Sequence, residues 1–246
     1  MATDDIDLFR DSLAREAARL RLPLPEPVLD SCAAYYRLLA RWNARLRLVG
    51  STEPGRAACE LFADSFVASS FAGEFLRVPR MIDIGAGAGF PGMAVKLLHP
   101  ERPLACIEAI TKKTSFLKTL RRALSLDNVD ILAGRAERCA HEGAFRERFD
   151  LAFCRAVASP AAAIELGTPF IRVGGMLVLQ AGALGADEIE SVSKAAGETG
   201  ASLEDTMSYD LSCSPRRRLL LRIKKTCPTP AIYPRSMNAI RRRPLA

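Results

Sequence analysis

A short apolar run carrying one acid, Met81-Ile82-Asp83-Ile84, breaks into Gly85-Ala86-Gly87-Ala88-Gly89 and then Phe90-Pro91-Gly92. Glycines in such a turn admit positive φ and let a ligand approach where a Cβ would clash. The helix expected beyond the turn adds unpaired N–H groups and a positive dipole end. Two registers compete. Gly87-x-Gly89-x-x-Gly92 fits the dinucleotide pattern, but Gly85 and Ala86 then separate it from the strand. The register from Gly85 follows Ile84 directly and puts Phe90 where the third glycine of a dinucleotide site belongs. Its D-x-G-x-G-x-G form points to S-adenosylmethionine, which has no pyrophosphate to cradle. The Gly85 register is preferred over both the dinucleotide reading and a ligand-free turn.

Other candidates fall at the ends of later apolar runs. Glu108 lies 23 residues after Gly85 and ends Leu104-Ala105-Cys106-Ile107. That is the place for an acid accepting hydrogen bonds from ribose hydroxyls. Ala136-Glu137 follows the third run, where a polar group meets an adenine; an exposed helix-start acid is the competing explanation. Arg155 follows the fourth run, where substrate and methyl donor would meet. It can pair with the donor's carboxylate, with a phosphate or with a nearby acid, and it is the catalytic candidate. No triad, paired-carboxylate signature or metal box accompanies these residues.

The elements that must position them read as follows. Helical periodicity is expected over 4–20, 26–46 and 56–71, so the first eighty residues are helical. In the second of these helices, Trp42, the single tryptophan, is expected to anchor the core. Strands are expected at 81–84, 104–108, 129–133, 149–154 and 176–180. They alternate with helices over 90–98, 111–126, 160–166 and 186–196. Two β-rich runs near 203–209 and 218–223 close the sheet as a hairpin-like pair. This alternation argues for a doubly wound α/β sheet of parallel strands. In such a sheet, ligands bind outside the carboxyl ends of strands at the switch point, where the candidates above converge.

Composition narrows the class. The chain has 246 residues, 49% hydrophobic and 26% charged, enough for one large domain with an appendage or two small ones. No apolar run reaches the roughly 18 residues of a membrane span. The acidic start, Met1-Ala2-Thr3-Asp4-Asp5, lacks the features of a signal peptide, so a cytoplasmic protein with no membrane partner is expected. Seven cysteines lie at 32, 59, 106, 139, 154, 213 and 227, without a C-x-x-C pair. They are expected to be reduced and mostly buried, and no metal is expected. Ten basic residues and no acid fall between Leu211 and Ala246, whereas the other 210 residues carry 25 basic and 28 acidic ones. A basic end on a near-neutral body suits a polyanion. Arg216, Arg217, Arg218, Arg235, Arg241, Arg242 and Arg243 are the RNA-binding candidates. Prolines 228, 230, 234 and 244 argue for irregular structure there.

Asp83 to Gly92 resembles the signature of the bacterial small-subunit ribosomal RNA methyltransferase G family, also called glucose-inhibited division protein B. Arg41-Trp42-Asn43, Asp64-Ser65, Glu108 with Lys112-Lys113 and Phe116-Leu117 also match. So do Gly134-Arg135-Ala136-Glu137, Arg155-Ala156-Val157-Ala158, Tyr233-Pro234-Arg235 and Arg243-Pro244-Leu245. The resemblance implies a Rossmann-like class I S-adenosylmethionine-dependent methyltransferase fold with an N-terminal helical extension. It implies transfer of a methyl group to N7 of a guanine in 16S ribosomal RNA, with that RNA or the small subunit as partner. It places Gly85, Phe90, Ala136, Glu137 and Arg155 against the donor. The organisation expected is a helical extension over 1–75, a methyltransferase domain over 76–226 and a basic tail over 227–246, acting as a monomer. The chain departs from the family at Arg47-Leu48-Val49, Leu61 and Ala181-Gly182. The competing readings are a donor- or RNA-binding relative with lost or redirected activity, and a methyltransferase for a small molecule or protein. A dehydrogenase ranks below these because of Phe90.

Overall fold

The computed structural model describes residues 3–74 and 80–245. The chain opens with α1 (Thr3–Arg19), α2 (Glu26–Leu46) and α3 (Pro54–Ala57), a π-helical turn (Ala58–Ala63) and α4 (Asp64–Ala72). Then come β1 (Met81–Ile84), α5 (Gly92–Leu98), β2 (Leu104–Glu108), α6 (Thr111–Ala123), β3 (Val129–Ala133), α7 (Ala136–Cys139) and β4 (Phe149–Arg155). The chain closes with α8 (Pro160–Gly167), β5 (Ile171–Gly182), α9 (Ala186–Glu198), β6 (Ala201–Leu211), β7 (Ser214–Lys225) and α10 (Met237–Arg242).

The described strands form one seven-stranded sheet in the order β3-β2-β1-β4-β5-β7-β6. β1 pairs in parallel with both β2 and β4, whereas β7 runs antiparallel to β5 and β6. Strand order reverses beside β1, so the switch point lies at the carboxyl ends of β1 and β4. β1 and β2 are buried along their whole length, as expected of parallel strands covered on both faces. On one face, α1, α2, α4, α5 and α6 share a single apolar cluster with the sheet, so the leading helices are part of its core. The other face packs mainly against α8 and α9. Among the described residues, no helix is long and apolar enough to cross a membrane.

Two features differ from expectation, the state of two cysteines and the exposure of Trp42. Cys59 and Cys213 are not reduced; they form a disulfide between the π-helical turn and the β6–β7 turn. Cys32, Cys106, Cys139 and Cys154 are buried free thiols, and Cys227 is exposed. The proline-rich stretch over 226–236 is irregular, as expected, and is held in place by side chains. Arg146 donates to the carbonyls of Thr229, Pro230 and Tyr233, and α10 buries Ile240 against Ala162 and Leu166 of α8. Prolines disfavour repetitive structure but leave carbonyls free to accept, and the guanidinium of Arg146 collects three of them. Trp42 is half-buried and meets the edge of Phe116, with ring centroids 5.5 Å apart. The 75/76 boundary lies outside the described residues.

Candidate active site

The glycine turn is held from below and from the side. Gly85, Gly87 and Gly89 have φ of +70°, +58° and +93°, a region that disfavours any side chain. Asp83 Oδ2 accepts from the Gly92 N–H at 2.8 Å, tying the strand to the helix start. The hydroxyl of Tyr35, on α2, donates to the Ala88 carbonyl, and its ring stacks on Phe90 at 5.0 Å. A Cβ on Gly89 would collide with Tyr35 and Met93, and one on Gly85 with Val157. Gly87 differs, because a Cβ there meets only the Gly85 carbonyl at 3.8 Å and otherwise faces open space.

Glu108 ends β2 beside this turn. Its Oε2 accepts from the Gly87 N–H at 2.9 Å and its Oε1 from the Ile110 N–H at 2.7 Å. The Gly134 N–H donates to the Glu108 carbonyl at 3.1 Å, bringing half-buried Ala136 and Glu137 to the same edge. Val157 adjoins Gly85 and, like Ala136 and Met237, packs against the cluster of Ala162, Leu166 and Ile240. Burial pushes the Asp83 carboxyl up to about 7; the Gly92 N–H and the charge of Arg155 oppose this, and the charge of Glu108 adds to it. Asp83 Oδ1 has no hydrogen-bond partner.

Arg155 ends β4 and extends over the face of Phe90, 5.8 Å from the ring centroid. Its Nη1 donates to Asp64 Oδ2 at 2.8 Å and to the Glu60 carbonyl at 3.1 Å. Of the partners open to it from sequence, the one present is therefore a nearby acid. Asp64 is fully buried at the start of α4. It also accepts from Gln180 Nε2 at 3.1 Å, from the Tyr209 hydroxyl at 2.5 Å and from Arg218 Nη1 at 3.4 Å. The π-helical turn precedes Asp64 directly and supplies the Glu60 carbonyl. Such turns recur where a helix must re-aim its groups at a site.

The basic candidates divide. Arg216 and Arg217 are exposed at the start of β7, with Arg217 3.8 Å from Asp210, and Arg241, Arg242 and Arg243 are exposed at the end of α10. Arg218 is instead turned inward to Asp64. Arg235 makes a two-pronged pair with the fully buried Glu165, at 2.8 and 2.6 Å, and its own N–H donates to the same carboxylate. These two arginines are paired with internal carboxylates, since a buried acid requires a paired cation, whereas Arg216, Arg217 and Arg241–Arg243 project outward. Lys225, fully buried against Thr168, Thr229 and Glu147, is absent from the surface. Of the positions that depart from the family pattern, Leu61 is buried in the core and Arg47 is an exposed left-handed helix end.

The profile described as rRNA small subunit methyltransferase G matches residues 29–213. The ribosomal RNA small subunit methyltransferase G of Caldanaerobacter subterraneus subsp. tengcongensis is 34% identical over 235 residues, 96% of this chain and 98% of that one. Its counterpart from Roseiflexus castenholzii is 33% identical over 235 residues, 96% and 99% of the two chains. This chain belongs to the rRNA small subunit methyltransferase G family. Among solved structures, TrmN from Thermus thermophilus aligns with a TM-score of 0.51 at 14% identity, over 65% of this chain and 48% of that one, a likeness of fold alone.

In this member of the rRNA small subunit methyltransferase G family, the residues that sequence reasoning missed are Tyr35, Gln180 and Tyr209, together with the role of Asp64. One signal was present for Asp64: a lone acid inside the apolar run Leu61-Phe62-Ala63-Asp64-Ser65-Phe66-Val67-Ala68. A carboxylate in such a run is buried and must find donors.

Proposed function

We propose that this family member transfers a methyl group from S-adenosylmethionine to N7 of a guanine in small-subunit ribosomal RNA. The observation that carries the reading is the meeting of the Gly85–Gly89 turn, Glu108 and Arg155 at the carboxyl edge of β1, β2 and β4. The residues fit the donor. Gly87 leaves open space where a side chain would intrude, and Asp83 Oδ1 is a buried acceptor without a partner beneath the turn. Each Glu108 oxygen accepts one backbone N–H and retains a lone pair for a ribose hydroxyl. Ala136 and Glu137 flank the adenine on this reading.

When bound, S-adenosylmethionine supplies a methyl group already activated on a sulfonium. Guanine N7 has a free lone pair and no proton to remove, so the protein needs no general base and acts by holding and orienting the two partners. Arg155 is fixed through Nη1, which leaves its other N–H groups for a donor carboxylate or a phosphate.

Support for an RNA partner comes from exposed cations. Besides Arg216, Arg217 and Arg241–Arg243, residues 31–52 and 109–126 contain no acid and expose Arg37, Arg41, Arg45, Arg47, Lys112, Lys118 and Arg122. These two segments meet where Lys112 Nζ donates to the Leu46 carbonyl at 3.1 Å. Such a surface recognises a polyanion. The test is transfer of tritium from labelled donor into 16S RNA, or into small subunits, that lack the modification, followed by mapping of the methylated guanine. Label in neither substrate overturns the reading.

A further inference from the structure

The Cys59–Cys213 bond closes 154 residues of sequence and plays no part in the chemistry above. Both of its ends adjoin the groups that hold Arg155. Glu60, next to Cys59, accepts from Arg155 through its carbonyl, and Asp64 follows one turn later. β6 and β7, which meet at Cys213, supply Tyr209 and Arg218 to Asp64. The same β6–β7 turn is gripped by α1: Arg19 Nη2 donates to the Asp210 carbonyl at 2.6 Å, and the Ser212 N–H donates to Glu16 at 3.0 Å. A cavity of about 560 Å³ opens beside the sulfurs, lined by both cysteines. Exposed Arg15, Arg56 and Glu53 line it, together with the Glu16–Arg19 ion pair.

We propose that Cys59–Cys213 is a thiol-exchange site served by a small thiol carrying carboxylates and an ammonium, and that its redox state sets the grip of Asp64 on Arg155. The second half rests on the active-site reading above. Mixed charge in the cavity suits such a zwitterion, because each of its ends finds an opposite partner. Cys213 is partly exposed whereas Cys59 is 3% exposed, so attack falls on Cys213. The incoming thiolate forms a bond to the Cys213 sulfur, the Cys59 sulfur leaves with the electron pair, and it takes up a proton. A second thiolate then attacks the sulfur of the bound thiol and releases Cys213 as a thiolate, which is protonated. Two small thiols are oxidised to one disulfide, and one protein disulfide is reduced to two thiols.

Full-length Cys227→Ser protein, which removes the exposed free thiol, is equilibrated in glutathione buffers of stepped ratio, alkylated and analysed by peptide mass. Cys59 and Cys213 should gain label together in one two-electron transition, with glutathione trapped on Cys213. Arg15→Glu should slow exchange with glutathione severalfold more than exchange with uncharged mercaptoethanol. Independent labelling of the two cysteines, or equal slowing with both thiols, overturns the site. The coupling is read from hydrogen exchange of amides 60–66, whose protection should fall on reduction and in the Cys59→Ser/Cys213→Ser variant. It is read as well from the KM for the donor, which should rise severalfold. Unchanged protection overturns the coupling whether or not the protein methylates RNA. Absence of methyl transfer in both redox states, with exchange intact, overturns the guanine reading and leaves the thiol site standing.

Discussion

The donor side and the Arg155 side of the site are built by different means. From Asp83 to Gly92 the chain is shaped by its own backbone: three positive φ values, a carboxylate on the Gly92 N–H and Glu108 on the Gly87 N–H. Around Arg155 the structure depends on side chains from β4, β5, β6 and β7 converging on one buried carboxylate from α4. The first kind of construction survives as a contiguous sequence signature. The second is a buried polar network whose members are costly to leave unpaired.

That contrast breaks most visibly at Asp64. Asp64→Ala should destabilise the fold by about 3–5 kcal/mol in urea unfolding, because it strands Arg155, Arg218 and Tyr209. A loss near zero would mean that the network is held from elsewhere. Asp83 is next. Its folded value of about 7 lies above the ordinary carboxylate range, chiefly through burial. Its contribution is therefore full below about pH 4 and is lost as pH rises through 7, a swing of about 2–4 kcal/mol. Asp83→Asn should flatten the stability profile between those limits, as followed by thermal unfolding across pH.

Smaller effects separate donor binding from folding. Glu108→Ala should weaken donor binding by roughly 1.5–3 kcal/mol in calorimetry, the range for a charged hydrogen bond. Unchanged affinity would remove Glu108 from the site. Gly87→Ala should cost about 1–2 kcal/mol of stability from its left-handed backbone alone. Gly89→Ala should cost more, through its collision with Tyr35 and Met93, and comparing the two unfolding curves checks this. Smallest of all, Arg217→Ser or Arg241→Ser should leave stability within ~0.5 kcal/mol. Each should lower the salt slope of RNA binding by about one, and an unchanged slope would take that arginine off the RNA surface.

Much of the architecture was legible from pattern. The expected strand over 129–133 and helix over 26–46 recur with the same bounds, because apolar periodicity and flanking breakers act locally. The helix expected to begin at Phe90 begins at Gly92, and the one expected to reach Leu126 stops at Ala123. α7 and α10, of four and six residues, were too short to show a period. On the site, Glu108 was legible from its distance to the glycine turn. Tyr35 was not: it lies 53 residues before the Ala88 carbonyl it bonds, on a helix whose buried face looks like ordinary core.

The sequence by itself determined the strand–turn–helix from Met81 to Leu98, the acid that ends β2, the doubly wound class and the family. Those features depend on neighbours along the chain or on spacing within one α/β unit. Only the tertiary structure decided the fate of the charges and the sulfurs. Arg217 and Arg218 are adjacent and chemically identical, yet one is exposed and the other reaches a carboxylate 154 residues away. A charge in a sequence carries the same letter whether water or a buried acid solvates it, and folding alone sets which of the two it meets.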